Sequence, residues 1–288
     1  MLKKRIIAVV IVKDDIVIQS IGFRKYLPIG KPEITLEFLT SWGIDEIVYL
    51  DISATKDQKL PNYEMIRRAA KKCYVPLTVG GGIRQMDQVH ELMSAGADKV
   101  SLNQIAWNEI SFVKEVALAY GNQCVVASVD VLKTSNGYKV YDYTKKQATG
   151  MDPTDYAKKL ADYGAGEIFI NSVDRDGTYL GYDLDLIQSV TNSVHIPVIC
   201  CGGARNAADM VQVFSKTNVS AAAAANFFHF TEHSVNVSKS IVYKNENIRL
   251  ETHANYSENT FDSDMRLTKK DDKILEEMLF LRIEKETI

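Results

Sequence analysis

Short apolar runs rich in valine and isoleucine recur along the chain. They occupy residues 5–12, 46–51, 75–79, 99–103, 124–130, 167–172, 196–201 and 219–226. Near-continuous runs of this length predict strands buried on both faces. Segments with helical periodicity lie between them, among them 63–72, 86–95 and 153–163, and these predict amphipathic helices. Eight strand and helix units in alternation predict a parallel sheet closed into a (β/α)8 barrel of the TIM type, with a doubly wound open sheet as the alternative.

The two halves of the pattern resemble each other. Pro76 to Arg84 (PLTVGGGIR) answers to Pro197 to Arg205 (PVICCGGAR), and Glu46 to Leu50 answers to Glu167 to Asn171, both at an offset of about 121 residues. An internal half-barrel duplication accounts for this. Sliding residues 8–12 by about 119 sets Ile11 opposite Asp130.

After residue 250 the rhythm stops. The expected organisation is a barrel over residues 1–250 and an extension over 251–288. The extension reads as a polar surface loop at 252–263 and an amphipathic helix at 269–287, with Ile274, Met278 and Leu281 on one stripe.

Composition narrows the function classes. With 34 basic against 37 acidic residues, the chain lacks the electrostatic footprint of a nucleic-acid or anionic-membrane binder. The four cysteines (Cys73, Cys124, Cys200, Cys201) have neither zinc-ligand spacing nor disulfide-scaffold density. That usage predicts a reduced, cytoplasmic protein without a metal. The apolar run 6–12 is too short to span a membrane and reads as a buried strand rather than a signal. No cofactor is called for.

Candidate chemistry clusters at strand ends. Gly80-Gly81-Gly82 follows the third strand and Asn103 ends the fourth; Gly202-Gly203 follows the seventh, and Ala225 and Asn226 end the eighth. Glycines there let backbone N–H groups approach a phosphate, so two pairs predict two phosphate sites. Asp130 ends strand five, and Asp174 to Thr178, including Asp176 and Gly177, follows strand six. Asp130 is the best acid/base candidate, with a cap or ion-pair role as its structural alternative; Asp174 and Asp176 suit either a catalytic or a loop role. Arg5, Glu46, Lys99 and Glu167 begin four strands at the opposite face, which in such barrels usually serves stability.

These motifs, in order and spacing over residues 1–250, resemble the cyclase subunit of imidazole glycerol phosphate synthase. They include Lys4 to Ile7, Leu50 to Ile52, Thr78 to Ile83, Gly96 to Ser101, Gly164 to Ile168, Asp174 to Thr178 and Gly202 to Ala204. The resemblance implies a glutaminase subunit docked on the N-terminal face, near Asp98, and ammonia passing through the barrel. It places Arg5, Glu46, Lys99 and Glu167 on a charged gate. It also assigns Gly81, Gly82, Asn103, Gly177, Gly202, Gly203, Ala225 and Asn226 to phosphate binding.

The chain departs from the family at the chemistry. Of two acid/base aspartates one is retained as Asp130, while Ile11 occupies the other position; Gln19 matches a family lysine. Details of the first loop (Lys25-Tyr26, Ile29 to Pro32), Cys124 to Asp130 and Ala148 to Pro153 resemble a branch associated with amidation of surface-polysaccharide sugars. That branch implies an ATP-dependent sugar amidotransferase partner and a phosphorylated or nucleotide-sugar substrate. A histidine-pathway cyclase and a non-catalytic activator of a glutaminase are the alternatives.

Overall fold

The computed structural model describes residues 3–21, 23–54, 59–229, 233–250, 256 and 259–274. Eight parallel strands form a closed ring: β1 (Arg5–Lys13), β2 (Glu46–Asp51), β3 (Leu77–Gly80), β4 (Lys99–Leu102), β5 (Val125–Thr134), β6 (Glu167–Ser172), β7 (Val198–Cys201) and β8 (Ala221–Ala224). Each pairs in parallel with its sequence neighbours, and β8 closes onto β1 with Arg5 opposite Ala221. The barrel expectation holds and the open sheet is excluded.

Strand alternation divides the apolar residues into two layers. Along β1, Ile6, Ala8, Val10 and Val12 face the surrounding helices, while Ile7, Val9 and Ile11 face the barrel interior with Val48, Val126, Phe169, Ile199 and Ala223. Burial on both sides is the reason these strands read as continuous apolar runs. Each fully buried isoleucine contributes about 1.5–3 kcal/mol through the water it sheds.

The outer layer includes α1 (Pro32–Ser41), α2 (Tyr63–Ala70), α3 (Met86–Ser94), α4 (Ser111–Tyr120), α5 (Pro153–Asp162), α6 (Leu184–Thr191), α7 (Ala207–Lys216) and α8 (Ser234–Tyr243). Asn62, Asp152, Asp183 and Asn206 cap α2, α5, α6 and α7 by accepting first-turn N–H groups. Among the described residues no helix is long and apolar enough to cross a membrane.

The structure corrects several boundaries. Strands β3 and β8 are shorter than their apolar runs; before β3 stands Pro76, which has no N–H to give to the ladder. Strands β1 and β5 instead run past the barrel rim into antiparallel hairpins that the pattern did not separate. The first is Ile16–Ile21 with Lys25–Gly30, and the second is Gly137–Asp142 with Gln147–Ala148. Both hairpins follow the first strand of a half-barrel, so the duplication extends to this decoration.

Beyond α8, the backbone of Ile248 pairs with Lys4 beside β1. Tyr256, Phe261, Met265 and Leu267 pack over Val237 and Ile241 of α8 and Ala207 of α7, giving the last helix a cover on its outer side. Lys239, fully buried on α8, places Nζ 2.6 Å from Asp45 Oδ1, and Arg249 Nε lies 3.3 Å from the same oxygen. Of the expected C-terminal helix, residues 272–274 are helical; Met278 and Leu281 lie outside the described residues.

Candidate functional site

At the N-terminal end of the barrel four charged side chains close a ring. Arg5 Nη1 lies 2.5 Å from Glu46 and 2.8 Å from Glu167, and Lys99 Nζ lies 3.2 Å from each of the same two carboxylates. All four begin strands, and alternation turns them inward. Burial opposes the charge on Arg5, but Glu167 and Glu46 outweigh it and hold the guanidinium more firmly charged than usual. Each cation bridges both anions, so the floor is shut by a neutral, saturated network. Asp98, one residue before Lys99, is exposed, and its Oδ2 accepts the Leu77 N–H at 2.8 Å. Its carboxylate therefore also ties β3 to β4.

At the opposite end, Asp130 is buried on β5. Asn171 Nδ2 donates to its Oδ1 and Asn103 Nδ2 to its Oδ2, each at 2.9 Å. Burial pushes its pKa up, while the two amide hydrogen bonds pull the other way. Ile11 faces the same chamber, pairing with Leu50 on β2 and Ile18 on the first hairpin. The wall at that position is aliphatic.

Asn171 was not among the sequence candidates for the site. It stands beside Asp130 because β5 and β6 pair in parallel register, which neither segment shows by itself.

The glycine turns obey the pseudo-symmetry atom by atom. A Cβ on Gly81 would lie 2.1 Å from the Asp51 carbonyl oxygen, and one on Gly202 would lie 2.6 Å from that of Ser172. A Cβ on Gly82 would meet that of Ala54 at 2.7 Å, and one on Gly203 that of Arg175 at 3.0 Å. All four glycines have positive φ. The Arg84 N–H donates to the Gln88 side chain as the Arg205 N–H donates to Asp209. Backbone can approach a ligand here because no side chain intervenes.

Gly177, Gly202, Gly203, Ala225 and Asn226 line one cleft at the mouth, together with Asp176, Tyr179 and Cys201. Gly81, Gly82 and Asn103 lie on the other half, where the Asn103 side chain is committed to Asp130. The Asn226 side chain is likewise engaged: it donates to the Ser20 carbonyl and accepts the Ser20 N–H at 3.1 Å. At Asn103 and Asn226 the free donors for an anion are thus the backbone amides.

The first hairpin leans across this mouth. Gln19 Nε2 donates to the Tyr179 hydroxyl at 3.0 Å, and Ser20 Oγ lies 3.3 Å from Asp176 Oδ2. Asp176 is therefore a rim residue in contact with the hairpin. Asp174 has a structural contact, its Oδ2 accepting the Lys133 N–H at 2.5 Å. All four cysteines are free, and burial raises the pKa of Cys200 and Cys201, so both are held as thiols.

The sequence profile described as "Histidine biosynthesis protein" matches residues 5–234. A curated relative from Vibrio vulnificus (strain YJ016), named "Putative imidazole glycerol phosphate synthase subunit hisF2", is 42% identical over 265 residues, covering 92% of this chain and 97% of the relative. The profile match starts at the first residue of β1 and ends at the first of α8, so it takes in the complete strand ring. The chain belongs to the histidine biosynthesis protein family, and its barrel is like that of an imidazole glycerol phosphate synthase subunit.

Proposed function

We propose that this barrel is a synthase subunit that receives ammonia from a separate glutaminase docked on its floor and delivers it at the glycine-lined mouth. The glutaminase sits around exposed Asp98, and the ring of Arg5, Glu46, Lys99 and Glu167 is the gate that ammonia must pass. Opening the gate requires only that one cation let go of one carboxylate, because that carboxylate keeps its contact with the other cation. Above the gate, polar Ser101, Ser128, Asp130 and Asn171 offer hydrogen-bond partners to a small polar solute, opposite an apolar wall.

The ammonia serves amidation of a surface-glycan sugar, acetamido to acetamidino, with an ATP-dependent amidotransferase as third partner. The observation that carries this reading is Ile11: buried and facing the chamber of Asp130, it can neither accept nor give a proton. Losing one of two general acid/base groups costs roughly 10²–10⁴ in rate. The Asp130 carboxylate and the glycine turns support the second reading, an imidazole glycerol phosphate synthase cyclase, to which the name of the Vibrio relative also points.

Reconstitution decides between them. Purified barrel, glutaminase and ATP-dependent partner are supplied with glutamine and either the bisphosphorylated cyclase substrate or nucleotide sugars. Glutamine-dependent amidation of a sugar without cyclase turnover is the expected result. Cyclase turnover without amidation reverses the assignment.

A further inference from the structure

We propose that the rim of the mouth is a protein-docking surface, and that its occupant is an acidic face of the enzyme that consumes the ammonia. This rests on the reading of the barrel as an ammonia-delivering subunit, and it says where on the barrel the third partner sits.

Among the described residues, six large apolar or aromatic side chains stand exposed on segments that follow barrel strands. They are Ile16, Tyr26 and Leu27 on the first hairpin, Leu60 after β2, and Tyr179 and Leu180 after β6. Three of them are neighbours. Leu27 stands opposite Gln19 in the hairpin register, and residues opposite each other in an antiparallel pair share a face. Gln19 Nε2 donates to the Tyr179 hydroxyl at 3.0 Å, and Leu180 is the next residue, 69% exposed. The latch that holds the first hairpin inward therefore also gathers an apolar strip at the lip of the cleft. Exposed apolar surface of this kind, bordered by charge, marks a protein contact.

The border is basic. Residues 13–31 and 133–149, the two hairpins with their flanks, carry eight basic and three acidic residues, in a chain whose total is 34 against 37. Arg24, Lys25 and Lys146 are exposed, and among the described residues their side chains make no hydrogen bond or ion pair. The acids beside the strip are committed to the fold: Asp174 accepts the Lys133 N–H, Asp176 meets Ser20, and Asp183 caps α6. The strip thus fits a partner face that is apolar at its centre and acidic at its margin. A second copy of this chain would bring the same excess of positive charge. An anionic membrane would set its headgroups against Asp14 and Asp15, both exposed beside Ile16.

The chemistry asks for a seal at this place. Ammonia released into water takes up a proton and ceases to be a nucleophile, so an enzyme that uses it must cover the opening from which it emerges.

The test uses the purified barrel, glutaminase and ATP-dependent amidotransferase of the reconstitution, with binding of the amidotransferase to the barrel–glutaminase complex measured by biolayer interferometry. Leu27→Asp and Leu180→Asp should each weaken that binding by about tenfold or more, as changes at the centre of an interface do, and leave glutaminase binding unchanged. Leu118→Asp, at an equally exposed leucine on α4, should not weaken it. Lys25→Glu combined with Lys146→Glu should slow association and flatten its dependence on salt. Melting temperatures should stay at the unmodified value. Rim variants that bind the amidotransferase within about twofold of the unmodified barrel overturn the docking surface alone. So does self-association in sedimentation, or binding to phosphatidylglycerol vesicles in flotation, that the rim variants abolish while amidotransferase binding persists. An unmodified complex that neither holds the amidotransferase nor amidates a sugar from glutamine overturns the ammonia-delivery reading and the docking surface together.

Discussion

The side-chain amide of Asn171 donates to the Asp130 carboxylate at 2.9 Å, and Asn103 holds the other oxygen at the same distance. Asp130 is thereby fixed in orientation with both oxygens engaged, while the pseudo-equivalent position on β1 is the aliphatic Ile11. A carboxylate held by two amides on one side of the chamber thus faces an aliphatic wall on the other.

From this asymmetry the unmodified chain is expected to turn over the bisphosphorylated histidine-pathway intermediate very slowly, even with saturating ammonium. Ile11→Asp combined with Gln19→Lys should raise that rate, by up to the roughly 10²–10⁴ that a general acid/base group contributes. Gln19 now serves the latch to Tyr179, so the double variant also loosens the hairpin. Ammonium-driven turnover by the unmodified chain at about 1 s⁻¹ or faster, a rate ordinary for enzymes, makes the cyclase reading the correct one.

Charge reversal at the floor separates gate from fold. In Lys99→Glu three carboxylates face Arg5 alone, and breaking such a largely buried pair costs about 3–5 kcal/mol. Glutamine-dependent ammonia delivery should be lost, with turnover from added ammonium retained at temperatures where the variant stays folded. Unaltered glutaminase binding and ammonia transfer in this variant rule out a route through the ring.

Anion binding at the mouth is open to crystallography. A structure grown in high phosphate or soaked with sulfate should show the anion against Gly177, Gly203 and the Asn226 backbone, with the second site at Gly82 and Asn103. Gly203→Ala should abolish the first, since its Cβ would lie 2.3 Å from the Gly181 carbonyl oxygen at a φ of +95°. The strain costs about 1–3 kcal/mol, so the melting temperature should fall as well. Both turns empty in saturating phosphate would count against the assignment.

Acid stability should carry the mark of His229. Burial lowers its pKa from 6.5 to about 4, and its Nε2 is buried with no partner among the described residues. A depressed folded-state pKa means that the neutral ring stabilises the fold above pH 6.5. That stability drains away as pH falls from 6.5 toward about 4, by up to about 3 kcal/mol. His229→Gln should flatten this part of the curve, measured by urea unfolding at pH 7 and pH 4.5. Equal losses in both proteins mean that His229 does not titrate on unfolding.

Much of this molecule is written locally. Buried barrel strands need residues apolar on both faces, so the eight strands, their order and the half-barrel repeat were all visible as runs of valine and isoleucine. Glycine turns and strand-end charges were legible too, because positive φ and inward-facing charge restrict residue choice at single positions. The Asn171 contact with Asp130, the closure of four strand-initial charges into one ring and the latching of the first hairpin onto Asn226, Asp176 and Tyr179 were not. Each depends on register and strand tilt, which bring together residues 41 to 206 positions apart through backbone pairing that leaves no signature in either segment. The hairpins fell outside the eight apolar runs, because polar turns at Asp14-Asp15 and Ser135-Asn136 set their strands apart from β1 and β5, and only the closed ring shows that they are extensions of its rim.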